Sequence, residues 1–201
     1  MNFNHKLKDK KVIITGGSSG IGRAAAGIFA GDGAGVSLVS RRGDVLRQAV
    51  DEIVKERGGA CPFADFFALD VSKEEDVKDF AGKYVDIHGV PDVLVNCAGV
   101  ADHPGPFEDL PSRDFRELME INFFGTVNMC RSFIPLMKKQ GGDIVNVSSV
   151  AGLSGGYGFT AYSSSKFAVT GFTLSLRSEL KKHGINVTLF CPACMNSSRT
   201  G

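Results

Sequence analysis

Short apolar runs alternate with longer stretches of helical period along the chain. Val12-Ile13-Ile14 is a compact β-branched run closed by Thr15-Gly16-Gly17. Ile21, Ala24, Ala25, Ile28 and Phe29 then recur at helical spacing. Val36 to Ser40 predicts a second strand. Val45, Leu46, Ala49, Val50, Ile53 and Val54 predict an amphipathic helix that stops at Gly58-Gly59. Phe66 to Val71 predicts a third strand, and Ser72 with Glu75 has the spacing of a capping box for the next helix. Val93-Leu94-Val95 predicts a short buried strand. The longest helical pattern runs from Ser112 to Lys139. Ile144 to Val147 and Ile185 to Phe190 predict two more strands, with a helix over Thr160 to Lys182 between them.

Strands of this length alternating with helices form βαβ units, which build a parallel sheet covered by helices on both faces. The strand runs are apolar throughout, as a sheet buried on both faces requires. The expected fold is therefore α/β, a Rossmann-type doubly wound parallel sheet in a single domain over residues 1–201. No repeat or linker interrupts it. Ligands bind such sheets beyond the carboxyl ends of the strands, and the distinctive motifs all follow strands.

Composition narrows the function. The chain has 201 residues, 43% of them apolar, and a formal net charge of +1. That balance argues against a nucleic-acid surface, which needs a basic patch. No apolar run reaches the ~18 residues of a membrane span, and the first ten residues lack the apolar stretch of a secretory signal. The expected compartment is the cytosol. Five cysteines at scattered positions do not suggest a disulfide framework. Cys191 and Cys194 spell C-x-x-C. A redox pair needs a helix to follow and a structural zinc needs two more ligands. Neither is evident, so no metal site is expected.

Thr15 to Gly22 reads T-G-G-S-S-G-I-G, directly after the first strand. Gly16, Gly20 and Gly22 permit a tight turn and close backbone approach to a pyrophosphate. The helix that follows offers free N–H groups and the positive end of its dipole. Ser18, Ser19 and Ile21 complete the loop. An acid after the second strand binds a ribose 2′-hydroxyl in many dinucleotide folds. Here the segment is Ser40-Arg41-Arg42. Arginine forms charge-assisted pairs with a 2′-phosphate, so NADP(H) is favoured over NAD(H). The bland alternative for Arg41 and Arg42 is a pair of solvated loop charges. Asp70 and Val71 flank the adenine in this reading, with a turn acid as the alternative for Asp70.

Ser148-Ser149 follows the strand D-I-V-N-V. Tyr162 lies thirteen residues after Ser149, and Lys166 stands four residues after Tyr162 on the same helical face. An ammonium near a phenol favours the phenolate, so Lys166 should lower the pKa of Tyr162. A tyrosine tuned in this way exchanges a proton with a carbonyl or alcohol. Ser149 is placed to hold the substrate oxygen.

These motifs, together with N-C-A-G at Asn96 to Gly99 and with Asn122, resemble the short-chain dehydrogenase/reductase family in order and spacing. The resemblance implies Tyr162 as general acid in reduction and Ser149 as the residue that orients the carbonyl. It implies that Lys166 binds the nicotinamide ribose, and that Asn122 holds a water that relays protons to Lys166. Asn96 would brace the central strands, and Ala98 and Gly99 would let the cofactor approach. Within the family, G-F-T-A-Y-S-S-S-K-F-A, F-E-D-L and V-N-C-A-G are similar to 3-ketosphinganine reductases, which reduce a long-chain ketone with NADPH. Reductases of 3-oxoacyl groups and hydroxysteroid dehydrogenases share much of this likeness. A nucleotide-binding protein without turnover is the reading from a different class.

The family pattern departs after the sixth strand. Pro192 matches, Ala193 stands where glycine is usual, and Ser197 is near the position of a threonine that meets the nicotinamide amide. Members usually continue beyond the equivalent of Gly201. The resemblance implies that the continuation holds a lid and a last edge strand. The two long helices carry apolar residues on more than one face. Phe115, Met119, Phe123 and Cys130 line one stripe. Phe124, Val127, Phe133 and Ile134 spread beyond it, as do Phe167, Phe172 and Leu176 on the second helix. A helix apolar around its girth needs partners on two sides. The expected assembly is a homodimer through this helix pair, or half of a tetramer.

Overall fold

The computed structural model describes residues 7–57, 61–101 and 104–193. Six strands form one parallel sheet: β1 (Lys11–Thr15), β2 (Gly35–Ser40), β3 (Ala64–Ala68), β4 (Val93–Asn96), β5 (Gly142–Val147) and β6 (Ile185–Phe190). Their spatial order is β3-β2-β1-β4-β5-β6. The chain therefore reverses direction of travel between β1 and β4, which opens a crevice at the carboxyl ends of these strands.

The connecting helices are α1 (Gly20–Gly31), α2 (Gly43–Arg57), α3 (Glu74–His88), α4 (Ser112–Leu118), α5 (Gly125–Met137) and α6 (Thr160–Leu180). Side chains alternate across each strand. Val12 and Ile14 of β1 pack with Val93 and Val95 of β4 under α1 and α2. Ile13 and Leu94 point the other way, into a core with Phe80, Tyr84, Phe133 and Leu176 from α3, α5 and α6. Both faces of the central strands are thus dry, and their carboxyl ends are held rigidly in register.

Three local expectations are corrected. The third strand ends at Ala68, so Asp70 and Val71 lie in the turn beyond it. There the Asp70 carboxylate accepts the Ser72 backbone N–H at 3.0 Å and the Ser72 hydroxyl at 2.8 Å. That hydroxyl is therefore taken up locally, and α3 starts after Lys73 with no side-chain cap. The capping box does not form. The helix expected over 160–182 closes as a 3-10 turn from Lys181 to His183.

The long helix over 112–139 is divided. A π-helical segment, Met119–Phe124, joins α4 to α5. A π turn holds more residues than an α turn, so it shifts the phase of everything that follows. Phe115, Met119 and Phe123 are only half-buried. Met129, Cys130, Phe133 and Met137 form the core face instead. The single stripe expected from Phe115 to Cys130 does not exist.

Candidate active site

A cleft of about 1130 Å³ lies beyond the carboxyl ends of all six strands. Its walls come from the segments after β1 (Gly16, Ser18, Ser19, Gly20, Ile21, Gly22), β2 (Ser40, Arg41, Arg42) and β3 (Asp70, Val71). The segments after β4, β5 and β6 add Cys97, Ala98 and Gly99, then Ser149, then Pro192 and Ala193. Tyr162 and Lys166 enter from the first turns of α6.

The glycine loop is shaped for close approach. Gly16 has φ +69°, and a Cβ there would meet Cys97 O at 2.9 Å. A Cβ on Gly22 would overlap Gly16 O, so the loop folds onto the start of α1 only with glycine at that position. Gly20, at φ +53°, faces open space: beyond its own chain neighbours and helix backbone, no atom of the described residues lies within 4 Å of its Cβ position. That space lies at the N-terminus of α1, where a phosphate meets free N–H groups. The loop is braced from an unexpected quarter. Thr15 Oγ1 accepts the backbone N–H groups of Cys97 and Ala98, each at 3.0 Å. This hydroxyl ties the glycine loop to the N-C-A-G turn. Its signal was its place at the end of β1, pointing toward β4.

The Ser40 hydroxyl is buried without a hydrogen-bond partner among the described residues. Arg41 and Arg42 beside it are exposed. An orphaned polar atom next to two cations and a glycine cradle fits an anionic nucleotide. The residues present therefore fit a nicotinamide dinucleotide.

At the other end of the cleft, the two serines after β5 separate. Ser148 is buried and bonded to Lys166 O at 2.9 Å and to Thr170 Oγ1 at 3.0 Å. Ser149 opens into the cleft, and its Oγ accepts Ala151 N–H at 3.1 Å. The turn behind it is pressed onto α6 at Gly152, where a Cβ would come within 2.7 Å of Lys166 O. Close packing thus fixes Ser149 relative to α6.

Lys166 is 5% exposed. Its Nζ donates to Val147 O at 3.1 Å and lies 5.8 Å from the centroid of the Tyr162 ring. Burial pulls its pKa down to about 8, while the nearby Cys97 and Cys191 thiols act in the opposite sense. Burial also pushes the Cys97 thiol up, against the pull of Lys166 and the Gly22 N–H.

Two expected site residues do not line the cleft. Asn96 Nδ2 donates to Asn146 Oδ1 at 2.8 Å across the β4–β5 pair, and Asn146 continues to Thr173 of α6 at 3.0 Å. Its place is beneath the site, between strands. Asn122 lies in the π segment with its side chain 1% exposed. Its Oδ1 accepts Val100 N–H at 2.8 Å, and its Nδ2 donates to Val100 O and to Ser165 Oγ, each at 2.9 Å. The cleft also has walls that the sequence reading passed over, including Ile121, Val150, Ser154 and Phe159. Periodicity alone gives no sign of these. Ser197 and Cys194 lie outside the described residues.

Comparison with known proteins identifies the family. The family described as short chain dehydrogenase matches residues 10–201. The chain is 41% identical over 188 residues to a 3-ketodihydrosphingosine reductase of Mus musculus, covering 92% of this chain and 56% of that protein. It is 35% identical over 196 residues to a 3-oxoacyl-(acyl-carrier-protein) reductase of Thermotoga maritima, covering 97% and 78%. The solved structure of L-sorbose reductase from Gluconobacter frateurii, complexed with NADPH and L-sorbose, superposes with TM-score 0.91 at 27% identity, covering 98% and 73%. The chain thus spans a little over half the length of the mammalian relatives it matches. Among the described residues no helix is long and apolar enough to cross a membrane.

Proposed function

The chain belongs to the short-chain dehydrogenase family, and from that premise we propose that it is an NADP(H)-dependent oxidoreductase acting on a carbonyl or secondary alcohol. The observation that carries this reading is the convergence of Ser149, Tyr162 and Lys166 on the same cleft as the glycine loop. NADPH, when bound, supplies the hydride. The loop of Gly16, Gly20 and Gly22 would hold its pyrophosphate, with Ser18 and Ser19 adding hydroxyls. Ser40 and Arg41 would hold the 2′-phosphate, Asp70 and Val71 would flank the adenine, and Ala98, Gly99 and Pro192 would line its path. No acid occupies the segment after β2, which supports NADP(H) over NAD(H).

In reduction, the Ser149 hydroxyl donates to the substrate oxygen and orients it. Tyr162 transfers its phenolic proton to that oxygen as negative charge develops there. The charge of Lys166 stabilises the phenolate that remains. Oxidation of an alcohol runs the same proton transfer in reverse.

The preferred substrate is a long-chain 3-keto compound of the 3-ketosphinganine type. Exposed apolar side chains on the segment that contributes Val150, Ser154 and Gly156 to the cleft support it. Val150, a wall of the cleft, is 45% exposed, and Leu153 and Tyr157 of the same segment are 57% and 86% exposed. A 3-oxoacyl thioester is the second substrate class, favoured by the likeness to the bacterial 3-oxoacyl reductase. The assembly we propose is a homodimer, or half of a homotetramer. NADPH oxidation measured against a ketone series of rising chain length tests the reading. Turnover that strengthens with chain length is expected; absence of turnover with every ketone would overturn it.

A further inference from the structure

Tyr162 and Lys166 are separated by three serines, and the fold gives each a different fate. Ser163 is buried, with a hydroxyl that has no partner among the described residues. Ser164 is exposed and bonds back to Thr160 O at 2.7 Å. Ser165 is 0% exposed; its hydroxyl donates to Tyr162 O at 2.7 Å and accepts from Asn122 Nδ2 at 2.9 Å. One hydroxyl therefore touches the backbone of the tyrosine, the amide of Asn122, and, through its own peptide, Lys166.

The space this arrangement controls is visible at Gly99. A Cβ there would lie 3.1 Å from Asn122 Oδ1 and 3.3 Å from Lys166 Nζ. The two polar groups thus face a single point, left open because residue 99 has no side chain. Asn122 is held to the β4 side by its two bonds to Val100. Lys166 belongs to α6. Among the hydrogen bonds of Asn122, the one to Ser165 is the bond that crosses to α6. The π segment places Asn122 where it can make that bond, and π turns recur at functional sites.

We propose that Ser165 is a positioning residue for the proton transfer: it acts as a strut that fixes Asn122 against the Tyr162–Lys166 turn and so keeps the slot above Gly99 aligned with Lys166 Nζ. This rests on the oxidoreductase reading above. Without the hydroxyl, one buried Nδ2 hydrogen of Asn122 loses its acceptor, and the turn carrying Tyr162 and Lys166 loses its tie to the π segment.

The test uses Ser165→Ala and Ser165→Thr, the second retaining the hydroxyl. In Ser165→Ala, kcat is expected to fall on the order of ten-fold, the effect of one mispositioned buried hydrogen bond, with NADPH affinity nearly unchanged. Looser contact between Lys166 and Tyr162 stabilises the phenolate less. The alkaline limb of the reduction profile should therefore move to higher pH, which a merely structural loss would not cause. Ser165→Thr should restore the profile. In an Asn122→Ala background, Ser165→Ala should change kcat little. An equal loss in both backgrounds, or an unmoved profile, overturns the strut. Side-chain amide exchange of Asn122, followed by NMR, answers separately from turnover. Slow exchange in the parent protein that quickens in Ser165→Ala supports the proposal; fast exchange in both refutes it. If the parent protein reduces no ketone, the oxidoreductase reading falls, while the exchange measurement still decides whether Ser165 holds Asn122.

Discussion

Lys166 Nζ stands 5.8 Å from the ring centroid of Tyr162, one helical turn away, and is anchored to Val147 O rather than to any carboxylate among the described residues. Salt-bridge pairing with an acid would neutralise the charge seen by the phenol. Anchoring to a carbonyl leaves the charge of the ammonium uncompensated by an acid, 5.8 Å from the tyrosine ring. In the proposed mechanism this placement would let the ammonium stabilise a phenolate.

Tyr162→Phe keeps the ring and its edge-on contact with Phe159, at 6.4 Å between centroids. It removes the proton. Turnover should fall by about 10²–10⁴-fold, the contribution of general acid–base catalysis, with cofactor affinity little changed. Steady-state reduction of a ketone beside an NADPH titration checks both halves. Near-normal turnover would remove Tyr162 from the mechanism.

The buried Lys166 also sets a pH dependence of stability. Its pKa is about 8 in the folded chain, against an ordinary value of 10.5. Between those values the unfolded chain holds a proton that the folded chain has released. Raising pH through this window therefore favours folding, and the cost of burying the ammonium, about 3 kcal/mol near neutral pH, is relieved. Lys166→Met removes the titration. Its loss of the bond to Val147 O is the same at every pH. The stability of Lys166→Met relative to the parent should be highest near pH 7 and should decline toward pH 10. Urea unfolding at the two pH values measures it, and a constant difference would contradict the assignment of burial as the cause.

Much of this was legible beforehand, and the reasons differ by element. The strands are β-branched runs whose burial on both faces leaves little freedom, so the parallel sheet type follows from their alternation with helices, whereas the spatial order of the strands comes from the structure. The glycine loop and the Tyr162–Lys166 pair are local patterns, four to eight residues long, whose geometry is fixed within one loop or one helical turn. The π segment was not legible, because Met119 to Phe124 has ordinary helical periodicity. The added residue is specified by the distant bonds between Asn122, Val100 and Ser165. The apolar pattern extends the third strand through Asp70 because it carries no sign of a carboxylate that turns back on Ser72. The three serines of Y-S-S-S-K are equivalent in sequence, and tertiary contacts alone distinguish them.

Cofactor choice is tested at Arg41. It lines the cleft beside the orphaned Ser40 hydroxyl. Arg41→Ala should weaken NADPH by about 1.5–3 kcal/mol, the range for a hydrogen bond to a charged group, and leave NADH nearly unchanged. Fluorescence titration of both nucleotides with the parent and the variant reads this directly. Equal affinity of the parent protein for NADPH and NADH would refute the argument from the segment after β2.

The last prediction concerns the outer face of the helices. Phe123 meets Phe172 edge-on, with centroids 6.1 Å apart, so the π segment and α6 pack side by side. Three large apolar side chains interrupt their otherwise polar outward face. Phe124 is 42% exposed, Phe167 46% and Leu174 48%. Large apolar patches on a monomer are uncommon and mark contact surfaces. Both helices belong to one subunit, so a two-fold axis between copies would bring Phe124 and Phe167 against their equivalents in a self-complementary interface. The π turn strengthens the case: by shifting phase, it turns Phe124 outward while Cys130 and Phe133 remain in the core. Light scattering at micromolar concentration should give the mass of a dimer or tetramer. Phe167→Glu, which buries a charge in that interface, should lower the mass to one chain without changing the far-ultraviolet circular dichroism. A monomer mass for the parent protein at every concentration would rule the interface out.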